Sequence, residues 1–357
     1  MVVAVGVAAL IAIPAVVGAL PVSVSAPPPA ILLQRVVASA ALPYQGYVLS
    51  EANLALPNVS EAQGATELLN NTTRLRAWVN GPDRWRVDDL STVSETDTYL
   101  DQGGAWMWDS GRNRATRVVG EPGARLARPD DLLPPELGRL LADAATPDEV
   151  GAMGPKRVAG VAAAGLRIIP HAGETTISSV DLWVNPGTGL PLEVAVYAPG
   201  SRRPVLQTRF LDLSQSRAPA PLVTFQPPAG PVRTVDWDDV DIAARIDERS
   251  PVLLPDVLGS LTRRTADPAP VATYGTGFSV VAVVALPGRL RFDLDQQLDK
   301  LPSVDTPVGP GRLVESPLLN GLVISRGAVL YAIVGAVHPA QLTALAPSLP
   351  PLGRQLS

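Results

Sequence analysis

The stretch TTRLRAWVNGPDRWRVDDL, residues 72–90, decides how the chain is read. In its first eight residues Leu75, Ala77 and Val79 fall on one side of an extended backbone, and Arg74, Arg76 and Trp78 fall on the other. That period-two alternation belongs to a strand with one face on a core. NGPD then supplies the turn residues, after which Trp85 and Val87 oppose Arg84, Arg86 and Asp88. Two such runs joined by a short turn predict an antiparallel hairpin.

The same pattern extends in both directions. YQGYVLSEANLAL (44–56) precedes the hairpin; DTYLDQGG (97–104), AWMWDSG (105–111) and RATRVV (114–119) follow it, with Trp106 and Trp108 on one face. DDLLPPELGRLLADAA (130–145) carries the spacing of a helix started or broken at Pro134 and Pro135, and ILLQRVVASAA (31–41) suits a first amphipathic helix. Strands resume in VAGVAAAGLRIIP, in SVDLWVNPGTGLPLEVAVYAPG and in VLQTRFLDL, where NPGTG is a hairpin turn. A meander interrupted by helices predicts an α+β fold: a large, strongly curved antiparallel sheet with helices on one side.

At 214–231 the text shifts to SQSRAPAPLVTFQPPAGP, which reads as the end of a domain and the start of a linker. Beyond it lie an acidic cluster at Asp236, Asp238, Asp239 and Asp241, then GFSVVAVVALPG, a polar helical piece RFDLDQQLDK, the strands GRLVES, NGLVIS and AVLYAIVGAV, and a closing helix PAQLTALAPSL. The expected organisation is an exported segment (1–26), a half-barrel domain (36–231), a linker (232–268) and a small α+β domain (269–357).

Residues from Val2 to Leu20 are almost unbroken Val, Ala, Ile, Leu and Gly, and the first charged side chain is Arg35. That run matches the ~20 residues needed to cross a bilayer. It reads either as a cleaved signal peptide or as an uncleaved anchor. Val24 and Ala26 offer a cleavage site, while Pro27 immediately after it disfavours processing. Both readings place the rest of the chain outside the cytoplasm, secreted or membrane-anchored. The net charge of −5 comes with no basic stripe, so nucleic acid is not an expected partner. With no cysteine there is no disulfide, thiolate metal site, cysteine nucleophile or acylated cysteine.

YQGYVLSEANLAL, RLRAWVNGPDRWRVDDL, DTYLDQGGAWMWDSGRNRATRV, LWVNPGTGLPLEVAVY and VTFQPPAG, in that order over residues 36–231, resemble the LolA-like lipoprotein-carrier superfamily, in particular its actinobacterial members. The C-terminal GFSVVAVVALPG, RGAVLYAIVGAV and HPAQLTALAPSL resemble the small second domain of RseB-like regulators. The resemblance implies an unclosed antiparallel barrel whose apolar face, under helices, holds a lipid or the acyl chain of a lipoprotein. It also implies an alternative role, a regulatory sensor that grips an anti-sigma factor or another membrane partner.

The expected apolar cavity residues are Leu75, Trp85, Val87, Trp106, Trp108, Leu182, Val184, Leu192, Val194 and Val196; the plain alternative is that they are packed core. Arg74, Arg76, Arg84 and Arg86 read as a solvated strand face or as head-group contacts at a rim. The acidic cluster reads as a solvated linker, because it lacks the turn glycine of a calcium loop. His171 and His338 stand apart with no ligand-spaced partner, and no catalytic motif accompanies them. The sequence thus predicts a binding protein without catalytic residues, metal or cofactor.

Overall fold

A computed structural model describes residues 22–57, 63–90, 95–102, 104–119, 126–227, 232–236, 252, 254–264, 271–287, 298, 300–327 and 329–351. The Val2–Leu20 run, most of the acidic cluster and nearly all of RFDLDQQLDK lie outside the described residues.

The first unit contains helix α1 (Pro29–Val37), strand β1 (Tyr44–Ala52), helix α2 (Gln63–Asn70) and strands β2 (Thr72–Val79), β3 (Trp85–Leu90), β4 (Glu95–Asp101), β5 (Gly104–Asp109) and β6 (Arg114–Val119). Helix α3 (Pro134–Ala144) follows, then β7 (Val150–Val158), β8 (Val161–Ile168), β9 (Ser179–Val184), β10 (Pro191–Tyr197), β11 (Leu206–Ser214) and β12 (Arg233–Asp236). These strands form one twelve-stranded sheet in the order β12-β6-β5-β4-β3-β2-β1-β11-β10-β9-β8-β7. Its end strands do not meet, so the sheet is unclosed, as the resemblance implied. It is antiparallel except at β12, which runs parallel to β6. Two local meanders, β1–β6 and β7–β11, are thus joined along a single seam where β1 pairs with β11.

Helices α1 and α3 pack on each other and cover one face of the sheet, α1 over β7 and α3 over β10 and β11. Pro134 and Pro135 stand at the start of α3, where a missing N–H costs nothing, so they begin the helix. Leu32, Leu33 and Val36 of α1 and Leu141 and Ala142 of α3 pack into one core with Val48, Leu75, Val87, Leu166, Leu182, Val184, Leu192, Val194 and Phe210. Two backbone approaches fix this packing. The Asn185–Gly189 turn closes on the Asn185 side chain, which accepts from Gly187 N at 2.9 Å, and it places Gly189 at φ 81° against the backbone of Arg35, where no side chain fits. Gly46 lets β1 pass directly over Phe210 and Asp212 beside the bulge at Tyr47/Val48.

The second unit holds the two-residue strands β13 (Val257–Leu258) and β14 (Leu261–Thr262), then β15 (Val271–Tyr274), β16 (Val281–Pro287), β17 (Ser303–Thr306), β18 (Gly309–Val314), β19 (Asn320–Arg326), β20 (Val329–Gly335) and helix α4 (Pro339–Leu345). Strands β15–β20 form an antiparallel sheet in the order β15-β16-β20-β19-β18-β17. Leu342 and Leu345 of α4 join Tyr274, Tyr331 and Ile333 in its core. The loop before β9 stitches the two units together: Thr175 bridges Val337, Thr176 N donates to Ala336 O at 2.9 Å, and His338 N donates to Glu174 O at 2.8 Å. Phe278 and Leu318 pack into the core of the first unit.

Candidate functional site

Strand pairing sorts the side chains of β2–β5 into two faces. On the helix side, the register aligns Leu75, Asp89 and Thr96 in one row, Ala77, Val87, Thr98 and Met107 in the next, and Val79, Trp85, Leu100 and Ala105 in a third. On the opposite side it aligns Trp78, Arg86, Tyr99 and Trp106.

The helix-side face differs along its width. In the core that α1 and α3 join it is filled: Leu75, Val87, Leu182, Val184, Leu192 and Val194 are all 0% exposed, and Val196 is 2% exposed. Over β3–β5, by contrast, Trp85, Leu100 and Ala105 are half-buried and Met107 is 43% exposed. Beside this stripe opens a pocket of about 700 Å³. Its floor carries Thr73, Asp89, Thr96, Thr98 and Met107; α2 forms one wall through Ala65, Glu67 and Leu68, and Ala127–Pro129 forms another. Arg74, Arg112 and Arg128 complete the lining. A volume of this order lies within the range of ~300–1,000 Å³ typical of small-ligand sites. Burial, with Glu67 nearby, holds the Asp89 carboxyl above its ordinary value.

The register divides the ten expected cavity residues. Leu75, Trp85, Val87, Leu182, Val184, Leu192, Val194 and Val196 share the helix side, whereas Trp106 and Trp108 stand on the other face, a correction to the shared face expected of all ten. Parity along AWMWDSG is correct within the strand, but the face that met the helices carries Ala105, Met107 and Asp109. None of the ten lines the pocket. Its threonines were missed because short polar side chains alternating in a strand read as a solvated face.

Trp106 instead holds a strap. After β11 the chain crosses the opposite face of β2–β5: Ala218 and Val223 pack on Trp78, and the Phe225 ring lies 5.0 Å from both Tyr99 and Trp106. Asn80 fastens the strap by accepting from Ala218 N at 2.8 Å and donating to Ala218 O at 3.0 Å. The Pro-rich text read as the start of a linker is therefore in part a packed element.

Beneath the strap, Arg86 lies between two rings, 4.9 Å from the centre of Trp78 and 5.0 Å from that of Tyr99. It donates to Asp88 at 2.5 Å and to Asp97 at 2.8 Å, with Glu95 at 3.9 Å. Of the four arginines read as a solvated face, Arg86 is thus a partly buried ion-pair centre. Burial pushes the Asp88 carboxyl up to about 7 despite Arg86, with Asp97 adding to the rise. Asp88, Glu95 and Asp97 have oxygens within 4.8 Å of one another, a spacing suited to a cation. The guanidinium already occupies that position.

His171 sits 3.4 Å from Asp148 on the surface, and His338 caps α4 at the junction between the units. Among the described residues no helix is long and apolar enough to cross a membrane.

No protein-family model and no curated protein matches the chain. Among solved structures, it is similar to MucB in complex with MucA(peri), at 18% identity and a TM-score of 0.49, covering 91% of this chain and 99% of that one. It is similar to the Pseudomonas aeruginosa MucA/MucB complex at 19% identity and a TM-score of 0.47, covering 91% and 99%. It is also similar to the LolA superfamily protein NE2245 from Nitrosomonas europaea, at 12% identity and a TM-score of 0.25, covering 56% and 99%.

Proposed function

We propose that the half-barrel binds an amphiphile, a lipid or the acyl chain of a lipoprotein, at the outer face of the cell membrane, where the apolar N-terminal run delivers or tethers it. The observation that carries this reading is the half-exposed stripe Trp85, Leu100, Ala105 and Met107, which meets the pocket at Met107. Apolar surface left open beside a filled core is where a hydrocarbon tail gains most, at roughly 0.8 kcal/mol per buried methylene. The packed residues Leu75 and Val87, in the same rows as the pocket floor, serve as the wall behind that tail. Such a role needs no catalytic group.

Native mass spectrometry of the full-length protein, freed from its detergent micelle in the gas phase, tests this. One lipid mass per chain is expected, and it should be lost in Met107→Arg, a substitution at a half-exposed position that leaves the fold intact. Absence of the adduct, or an adduct indifferent to Met107→Arg, refutes the proposal.

A second reading, a sensor that changes its grip on an anti-sigma factor or another membrane partner, is favoured by one observation. Strands β4 and β5 carry pocket residues (Thr98, Met107) on one side and strap anchors (Tyr99, Trp106) on the other. Occupancy would therefore be felt by the segment leading to the second unit. Neighbouring genes for a sigma factor and its membrane-bound inhibitor would support this role.

A further inference from the structure

The pocket floor is more polar than a hydrocarbon tail requires. Thr73 and Thr98 are 8% and 6% exposed, yet both line the pocket, and no described residue hydrogen-bonds to either hydroxyl. Their hydroxyls are not sealed inside the core with Ser50 Oγ; they open to the pocket, where each can donate to and accept from a ligand. Asp89 and Thr96 lie next to them in the register, so the floor offers three hydroxyls and one carboxylate, with the thioether of Met107 alongside. A carboxylate accepts two neighbouring O–H donors, and each threonine both donates and accepts. That set matches vicinal hydroxyls. Charge does not single out an anion: Glu67 and Asp89 line the pocket, Arg112 is paired to Asp109 at 2.7 Å, Arg128 is paired to Asp130 at 2.7 Å, and Arg74, the third arginine of the lining, alternates onto the other face of β2 with Arg76 and Trp78.

Resting on the amphiphile reading above, we propose that this pocket is a head-group site for a neutral polyhydroxylated amphiphile, one whose sugar or polyol head is held by Asp89, Thr73, Thr96 and Thr98. The tail leaves along Met107 toward Trp85.

The test uses full-length protein carrying [methyl-¹³C]methionine, with the Met107 signal identified by Met107→Leu among the three methionines. Three probes of equal chain length are titrated below their micelle concentrations: octyl β-D-glucopyranoside, octyl tetraethylene glycol ether and octyl phosphate. The glucoside is expected to shift the Met107 methyl at roughly tenfold lower concentration than the ether, the discrimination that one or two extra hydrogen bonds supply. Thr98→Val and Asp89→Asn are expected to bring the two to parity without weakening the ether. Equal affinities in the unmodified protein, a preference for the phosphate, or a glucoside preference that survives both substitutions overturns the head-group site and leaves the amphiphile reading standing. If no probe moves the Met107 methyl, both fall. Where a substituted chain does not fold, the comparison in the unmodified protein decides.

Discussion

Replacing Arg86 with methionine keeps side-chain length and removes the charge that sits between Trp78, Tyr99, Asp88 and Asp97. Asp88 is 2% exposed and Asp97 6% exposed, and Asp97 Oδ1 already lacks a hydrogen-bond partner. Without the guanidinium, two neighbouring carboxylates are left buried and uncompensated, a change that typically costs about 3–5 kcal/mol. The cost depends on pH. In the intact protein Asp88 holds its proton up to about 7 in the folded state against 3.8 when unfolded, so folding takes up a proton. The stability this contributes is complete below 3.8 and is lost as pH rises through about 7. At about 1.4 kcal/mol per tenfold change in proton affinity, the ceiling is about 4 kcal/mol. Arg86→Met raises both carboxyls further. Its penalty should therefore be about 3–5 kcal/mol at pH 7.5 and shrink to about 1–2 kcal/mol at pH 5, where protonated carboxyls need no counter-ion and mainly the ring contacts are missed. Urea unfolding followed by tryptophan fluorescence at the two pH values measures this, and adding Asp88→Asn should recover much of the loss at pH 7.5. A penalty below about 1 kcal/mol, or one equal at both pH values, would refute the account of the cluster.

Val194 is 0% exposed within the core under α3, so Val194→Glu should cost several kcal/mol or prevent folding altogether; circular dichroism of the soluble fraction checks it, and an intact fold counts against the packing described. Phe225→Ala removes the ring shared by Tyr99 and Trp106 and should cost about 1–3 kcal/mol while making the chain near Arg217 more sensitive to trypsin; unchanged cleavage would deny the strap its anchor. Gly189→Ala meets both the φ of 81° and the Arg35 backbone, and a loss of more than about 1 kcal/mol is expected by thermal melting.

Alternation made the strands legible. TTRLRAWV and RWRVDDL correspond to β2 and β3 because each buries one face, and a half-buried strand must alternate. What alternation cannot supply is which face meets the helices once both carry apolar residues. AWMWDSG offers tryptophans on one side and Ala105 and Met107 on the other, and the choice is made by Phe225, more than a hundred residues away. Helix α2 escaped notice for a different reason. QGATELLN has only two buried positions, too few for a visible period. The strap was hidden by its prolines, which signal an irregular backbone and carry no information about whether it lies in solvent or on a sheet. The pocket was least legible of all, since an unpartnered threonine hydroxyl is a property of assembly.

The seam between β1 and β11 sets an order of events. Each meander is built from neighbours in the chain and can zip up by itself, while the seam joins residues such as Val48 and Phe210, separated by nearly half the polypeptide. For a chain synthesised from its N-terminus, the two sub-sheets stay apart until the last strand of the second has emerged. The nascent first meander then waits with the β1 edge bare, a natural landing place for a holding chaperone and the step at which folding and aggregation compete.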